Sequence, residues 1–250
     1  MIELHVDLAK TVRKWLISVL FYVHMLTQIC RTMSTSTWHC CYAGWAGFYN
    51  KLQLSIRDQQ EDNNHKYNAA SPSSELPPLP NKLLIYASAI ATFYAPGDLS
   101  SINGMCSEYI HSMNTWRHGN NHYDCMFLNT DQLQPGMCGL DVPSARLFIL
   151  FTFEWVKYYC TYIHWFSKIG DTADECTGMW SVESDIFDDG SYNSTIVHLD
   201  SVVRLTHLLP IHCDRPAPSR HQLDYTQSLD AFSTFYVNKY ADHHAFEIAF

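Results

Sequence analysis

The residues best equipped for chemistry are soft metal ligands. His207, His212 and Cys213 lie in HLLPIHC, and His39-Cys40-Cys41 adds three more far upstream. Imidazole and thiolate donors together could hold zinc, which takes four ligands in tetrahedral array. The spacing matches no structural zinc pattern and a second paired knuckle is missing, so ordinary loop residues are the plainer reading. Gly136-Met137-Cys138-Gly139 sets a thiol on a glycine-flanked turn, where a nucleophile could be exposed. A cysteine hydrolase also needs a positioned histidine and a third orienting group. The 14 histidines of the chain make chance neighbours easy to find, so a loop cysteine is the simpler account. Asp185-Ile186-Phe187-Asp188-Asp189-Gly190 begins like a calcium loop, but Phe187 stands where the third-position oxygen belongs and Ile196 where the twelfth-position glutamate belongs. Asp-Gly between two strand-like runs reads as a hairpin turn instead.

No GxSxG, P-loop, GxGxxG or HExxH pattern occurs, so the familiar hydrolase, kinase, dinucleotide and zincin readings have no foothold. A two-metal carboxylate site would leave no spacing to read. The residues therefore assign no catalytic group and call for no cofactor. The reading they favour is a non-catalytic interaction domain. The competing reading is a hydrolase, zinc-dependent through the His/Cys/Asp-rich loops.

Charge narrows the partner. The whole chain carries −9, while Leu83–Phe250 holds 8 basic and 19 acidic side chains, a net of −11. An acidic domain repels phosphate backbones, so a protein partner is expected before a nucleic acid. The nine cysteines form no CxxC pair and follow no secretory leader, which points to reduced thiols inside a cell. Trp15–Cys30 is apolar behind Lys10, Arg13 and Lys14, yet it is shorter than a span of about 20 residues. It reads as a buried or partner-seeking helix, with a membrane anchor as the alternative.

The elements that would position these residues follow from periodicity. Leu8, Val12, Trp15, Leu16, Val19 and Leu20 sit near helical spacing and predict a helix over 5–33 within an N-terminal helical segment, 1–58. Residues 59–81, polar and then Pro/Ser-rich, read as a flexible linker. The texture of 82–250 is β. Leu83–Tyr94, Tyr123–Asn129, Arg146–Trp155, Tyr158–Phe166, Gly178–Glu183 and Ser194–Leu199 are aromatic or β-branched runs separated by turn residues. The fold expected is α+β: a small, curled, mostly antiparallel sheet or barrel carrying a C-terminal amphipathic helix. That helix is placed over 229–248, with Ser228 as N-cap and Leu229, Phe232, Phe235, Tyr236, Tyr240 and Phe246 on its apolar face. On the same winding Lys239, His243 and Glu247 form a polar stripe within or beside that face. His243 and Glu247 then make an i,i+4 pair, either at the rim or turned to the barrel, and His244 lies nearer solvent.

Several separated segments carry a resemblance. They are Phe93-Tyr94-Ala95-Pro96-Gly97-Asp98 through Met105, Glu108-Tyr109-Ile110, Trp116-Arg117, Tyr123-Asp124-Cys125, Gly136-Met137, Gly139-Leu140-Asp141-Val142 and His164-Trp165-Phe166. The closing segments IVHLDSVVRLTHLLP and SLDAFSTFYVNKYADHHAFEIAF are the most distinctive. In this order they resemble the C-terminal region of fungal transposon-derived proteins of the Plavaka or Kyakuja-Dileera-Zisupton type. The resemblance implies a metal-dependent transposase core upstream of such a region. Nothing in 1–82 resembles that core, so the resemblance implies a truncated remnant with accessory function and transfers no catalytic residue.

Overall fold

A computed structural model describes residues 22–25, 29–34, 48–67, 78, 80, 82–98, 101–113, 121–212 and 228–249. Among these, β-strands dominate, and the longest two explain why. β8 (Leu140–Phe153) and β9 (Val156–Lys168) are rich in aromatic and branched side chains that suit a pleated surface. They pair antiparallel through a two-residue turn, with Phe153 opposite Val156. Glu154 (φ 48°) and Trp155 (φ 68°) both take the left-handed conformation that lets such a turn follow strand twist.

Each long strand outlasts its neighbours and so joins two regions. The start of β8 pairs with β7 (Cys125–Asn129), and its end with β3 (Lys82–Tyr86). The middle of β9 pairs with β11 (Ser194–His198), and its end with β10 (Ser181–Ser184). β2 (Ile29–Ser34) extends the sheet beyond β3, and β12 (Val202–Thr206) beyond β7. On the far side come β14 (Thr234–Val237) and β13 (Leu208–Pro210). The sheet is nearly closed and barrel-like. A second sheet of β1 (Tyr22–Met25), β4 (Ser88–Tyr94), β5 (Met105–Met113) and β6 (His122–Tyr123) faces it.

Three apolar clusters fill the interior. Ala89, Ala91 and Ile110 of the second sheet meet Ala145, Phe148 and Ile163 of the main one. On the opposite face, helix α1 (Phe48–Tyr67) lays Phe48, Leu52 and Ile56 on Ile149 and Phe151 of β8 and Tyr162 of β9. Those three helix residues recur every fourth position and so share a face. The third cluster gathers Phe127, Val142, Phe166, Phe235 and Val237.

Three expectations change here. Residues 22–25 and 29–34 are strands, so the helix expected over 5–33 does not run through them, and its remaining positions lie outside the described residues. The helix α1 continues to Tyr67, so 59–67 of the expected linker is helical, and 68–77 lies outside the described residues. The single helix over 229–248 is replaced by α2 (Ser228–Ala231), β14 and α3 (His243–Ile248). Burial of Phe235 and Val237 on one side of a paired strand outweighs the helical spacing of the aromatics.

Candidate functional site

Among the described residues, two polar centres built around an arginine lie inside the fold, neither of them on the metal-ligand candidates. His207 and His212 are both exposed. His212 meets Phe232 edge-on, while Cys213 and His39-Cys40-Cys41 lie outside the described residues. Among the described residues no three His, Cys, Asp or Glu side chains are arranged to hold a metal ion. Cys138 is an exposed free thiol on a 3-10 turn, Gly136–Cys138. Asp185–Gly190 is a turn: Gly190 has φ 80°, and Asp189 Oδ1 accepts from the Ser191 hydroxyl and N–H, which holds that carboxyl below its usual range.

The polar stripe is dispersed by the break-up of the tail. Lys239 is buried, its Nζ 5.3 Å from both the Tyr240 and Phe246 ring centroids. His243 Nδ1 and Glu247 Oε1 do approach to 3.4 Å as an i,i+4 pair, but at 62% and 52% exposure. His244 is the buried histidine, 6% exposed and stacked on Phe93 at 4.7 Å. One unbroken helix would have turned it toward solvent. Helix α3 instead begins anew at Asp242, which caps it by accepting from the Ala245 N–H, and this resets the phase.

His244 belongs to the first polar centre. Arg204, on β12 and 3% exposed, donates to both Asp242 oxygens at 2.8 and 2.7 Å and to Glu108 Oε2 at 3.0 Å. Its guanidinium lies 4.5 Å from the Phe93 ring, and Glu108 also accepts from the Leu205 N–H. One cation thus joins β5, β12, β4 and the C-terminal helix. Burial alone would raise the Asp242 carboxyl, but Arg204 and the helix N-terminus hold it at about 2. Burial raises Glu108 despite Arg204, because it is the more deeply set acid. Burial, then Arg204, pushes His244 down to about 4. Two carboxylates on the terminal guanidinium nitrogens, with only Arg204 Nε left unmatched, suit a structural tie.

The second centre is a seam between the first and third apolar clusters. On one face of β9, His164 falls between Tyr162 and Phe166; it pairs across the sheet with Ser144 on β8 and Ser194 on β11. The β8–β9 register shifts between Ala145 and Leu147, which places Arg146 at a bulge. Bulges re-aim side chains in this way. The Arg146 guanidinium lies 4.5 Å from the Tyr123 ring and 5.8 Å from Tyr192. His164 stacks on Tyr192 at 4.6 Å. From helix α1, Lys51 donates to Ser194 Oγ, which also bonds the Tyr162 hydroxyl at 2.9 Å. Burial, then Arg146 and Lys51, depresses His164 to about 3, so its ring is neutral. The arrangement can bind negative charge and stack planar groups.

Neither centre follows from a motif. The available signal is a lone charge inside an apolar strand, Arg146 in ARLFIL and Arg204 in VVRLT, because a buried charge demands a partner. Comparison with family models, with curated proteins and with solved structures finds no match.

Proposed function

We propose that the chain is a non-catalytic interaction domain, of the transposon-derived type its motif series resembles, whose partner is a protein surface. The observation that carries this reading is the tip of the β8–β9 hairpin. Trp155 is 98% exposed there, beside the half-exposed Val156. Left-handed backbone at a non-glycine residue costs on the order of 1 kcal/mol, and here two adjacent residues keep it, Glu154 and Trp155. A large aromatic presented at the tip of a hairpin turn is the kind of anchor that carries binding energy in protein interfaces. The net charge of −9 opposes both phosphate backbones and anionic membrane surfaces.

Fluorescence anisotropy with labelled duplex DNA tests the choice of partner. Weak binding at physiological salt is expected, with no steep salt dependence. Tight binding that falls steeply with salt would replace a protein partner by a nucleic acid.

A further inference from the structure

The seam around Arg146 holds positive charge without its counterpart. Arg146, Lys51 and His164 converge there from β8, α1 and β9. Among the described residues neither Arg146 nor Lys51 makes an ion pair, and Arg146 Nε and His164 Nδ1 are buried with no hydrogen-bond partner. The contrast with Arg204 is informative. The same side-chain type, also set among strands, likewise leaves its Nε unmatched there, but its charge is met by two carboxylates. With 25 acidic against 16 basic side chains, this protein has no shortage of acids to place beside a structural cation. Leaving buried donors unmatched is costly unless something else meets them.

We propose that this seam binds a compact dianion of the phosphate class, held by Arg146 and Lys51. The planar guanidinium presents parallel N–H groups that match two oxygens of a tetrahedral oxyanion. Lys51 adds a point charge from the helix, and two cations balance a dianion. The Ser194 hydroxyl, which accepts from Lys51 and from Tyr162 and donates to the Tyr192 carbonyl, holds the lysine in place. Tyr123 and Tyr192 brace the guanidinium from the ring side and fix its direction. His164 contributes a neutral ring, so it can offer a hydrogen bond without a proton having first to be taken up. A carboxylate would satisfy the fork of Arg146 but leave one positive charge over. The site does not depend on the hairpin tip or on the nature of the protein partner.

Isothermal titration of the full chain with inorganic phosphate, at neutral pH and matched ionic strength, tests this. One saturable site is expected, absent with sodium acetate and with sodium chloride. Arg146→Gln and Lys51→Gln should each weaken phosphate binding about tenfold or more, the loss of one charge-assisted contact. Lys157→Gln, an exposed lysine on β9, should bind like the parent chain. O-phosphoserine, titrated in parallel, distinguishes the source: binding of phosphate alone marks a site for the free ion, and binding of both marks one that accepts a monoester. Should Arg146→Gln fail to fold, Lys51→Gln still decides, because its side chain is half-buried on the helix surface. No saturable heat with either phosphate compound, equal heat with acetate, or unchanged binding in Lys51→Gln would each overturn the proposal.

Discussion

At the scale of single residues, two adjacent histidines have opposite fates. His243 pairs with Glu247 in solvent, while His244 is packed between Phe93 and Arg204. His244→Ala should therefore destabilise the protein by about 1–3 kcal/mol, the scale of a lost buried polar contact. His243→Ala should stay within about 0.5 kcal/mol, as exposed substitutions do. Thermal melts of both variants give the comparison. The same environment dictates a pH dependence. His244 titrates at about 4 when folded, against an ordinary value of 6.5, with Arg204, Asp242, Glu247 and His243 as its charged neighbours. The folded state thus binds the proton less well than the unfolded chain. Its stabilising contribution is full above 6.5 and is lost as pH falls from there through about 4. His164 acts in the same direction, from 6.5 to about 3. Glu108, raised by burial, acts in the opposite direction, and Asp242 adds its own loss only below 3.8. Urea midpoints measured across that window should decline on acidification, and His244→Asn should flatten the slope.

At the scale of elements, the C-terminal segment shows which features sequence can and cannot reveal. Arg146–Trp155 and Tyr158–Phe166 are readable as strands because each is a long aromatic and β-branched run, whereas the turn between them, Glu154-Trp155, carries no turn residue and is read as part of the first run. The tail misleads because Phe232, Phe235 and Tyr236 satisfy a helical period, while the strand alternation is confined to Phe235 and Val237, and only pairing with β10 and β13 decides. β5 escapes notice for another reason. Its MCSEYIHSM mixes polar and apolar residues, since Glu108 points to Arg204. An Asn103-Gly104 turn before it, with φ of 54° and 79°, is the available signal. Phe235→Ala is the test of the strand. Phe235 is fully buried and meets Phe166 edge-on at 5.8 Å, so its truncation should cost about 3–5 kcal/mol. A loss below about 1 kcal/mol would fit an amphipathic surface helix better than a paired strand.

At the scale of the whole molecule, the barrel-like sheet does not end at Lys82. Phe48, Leu52 and Ile56 complete the cluster around Phe151 and Tyr162, so residues before 58 contribute core. Leu52→Ala should cost about 2–5 kcal/mol in urea unfolding, and a chain beginning at Lys82 should be markedly less stable than the full one. Composition and charge reveal the strand-rich class and the acidic balance, because both are sums over many residues. They are silent on the Arg204 tie and the Arg146 seam, which join residues far apart in sequence, as Glu108 and Arg204 are. Whether the domain works by presenting a surface to another protein is decided by affinity capture from cell extract, with the full chain and Trp155→Ser side by side and each treated with nuclease. Defined polypeptides should be retained by the parent chain and lost from the variant, with equal melting temperatures for the two. Capture that is identical for both, or that disappears with nuclease, would contradict a protein-binding role for the hairpin tip.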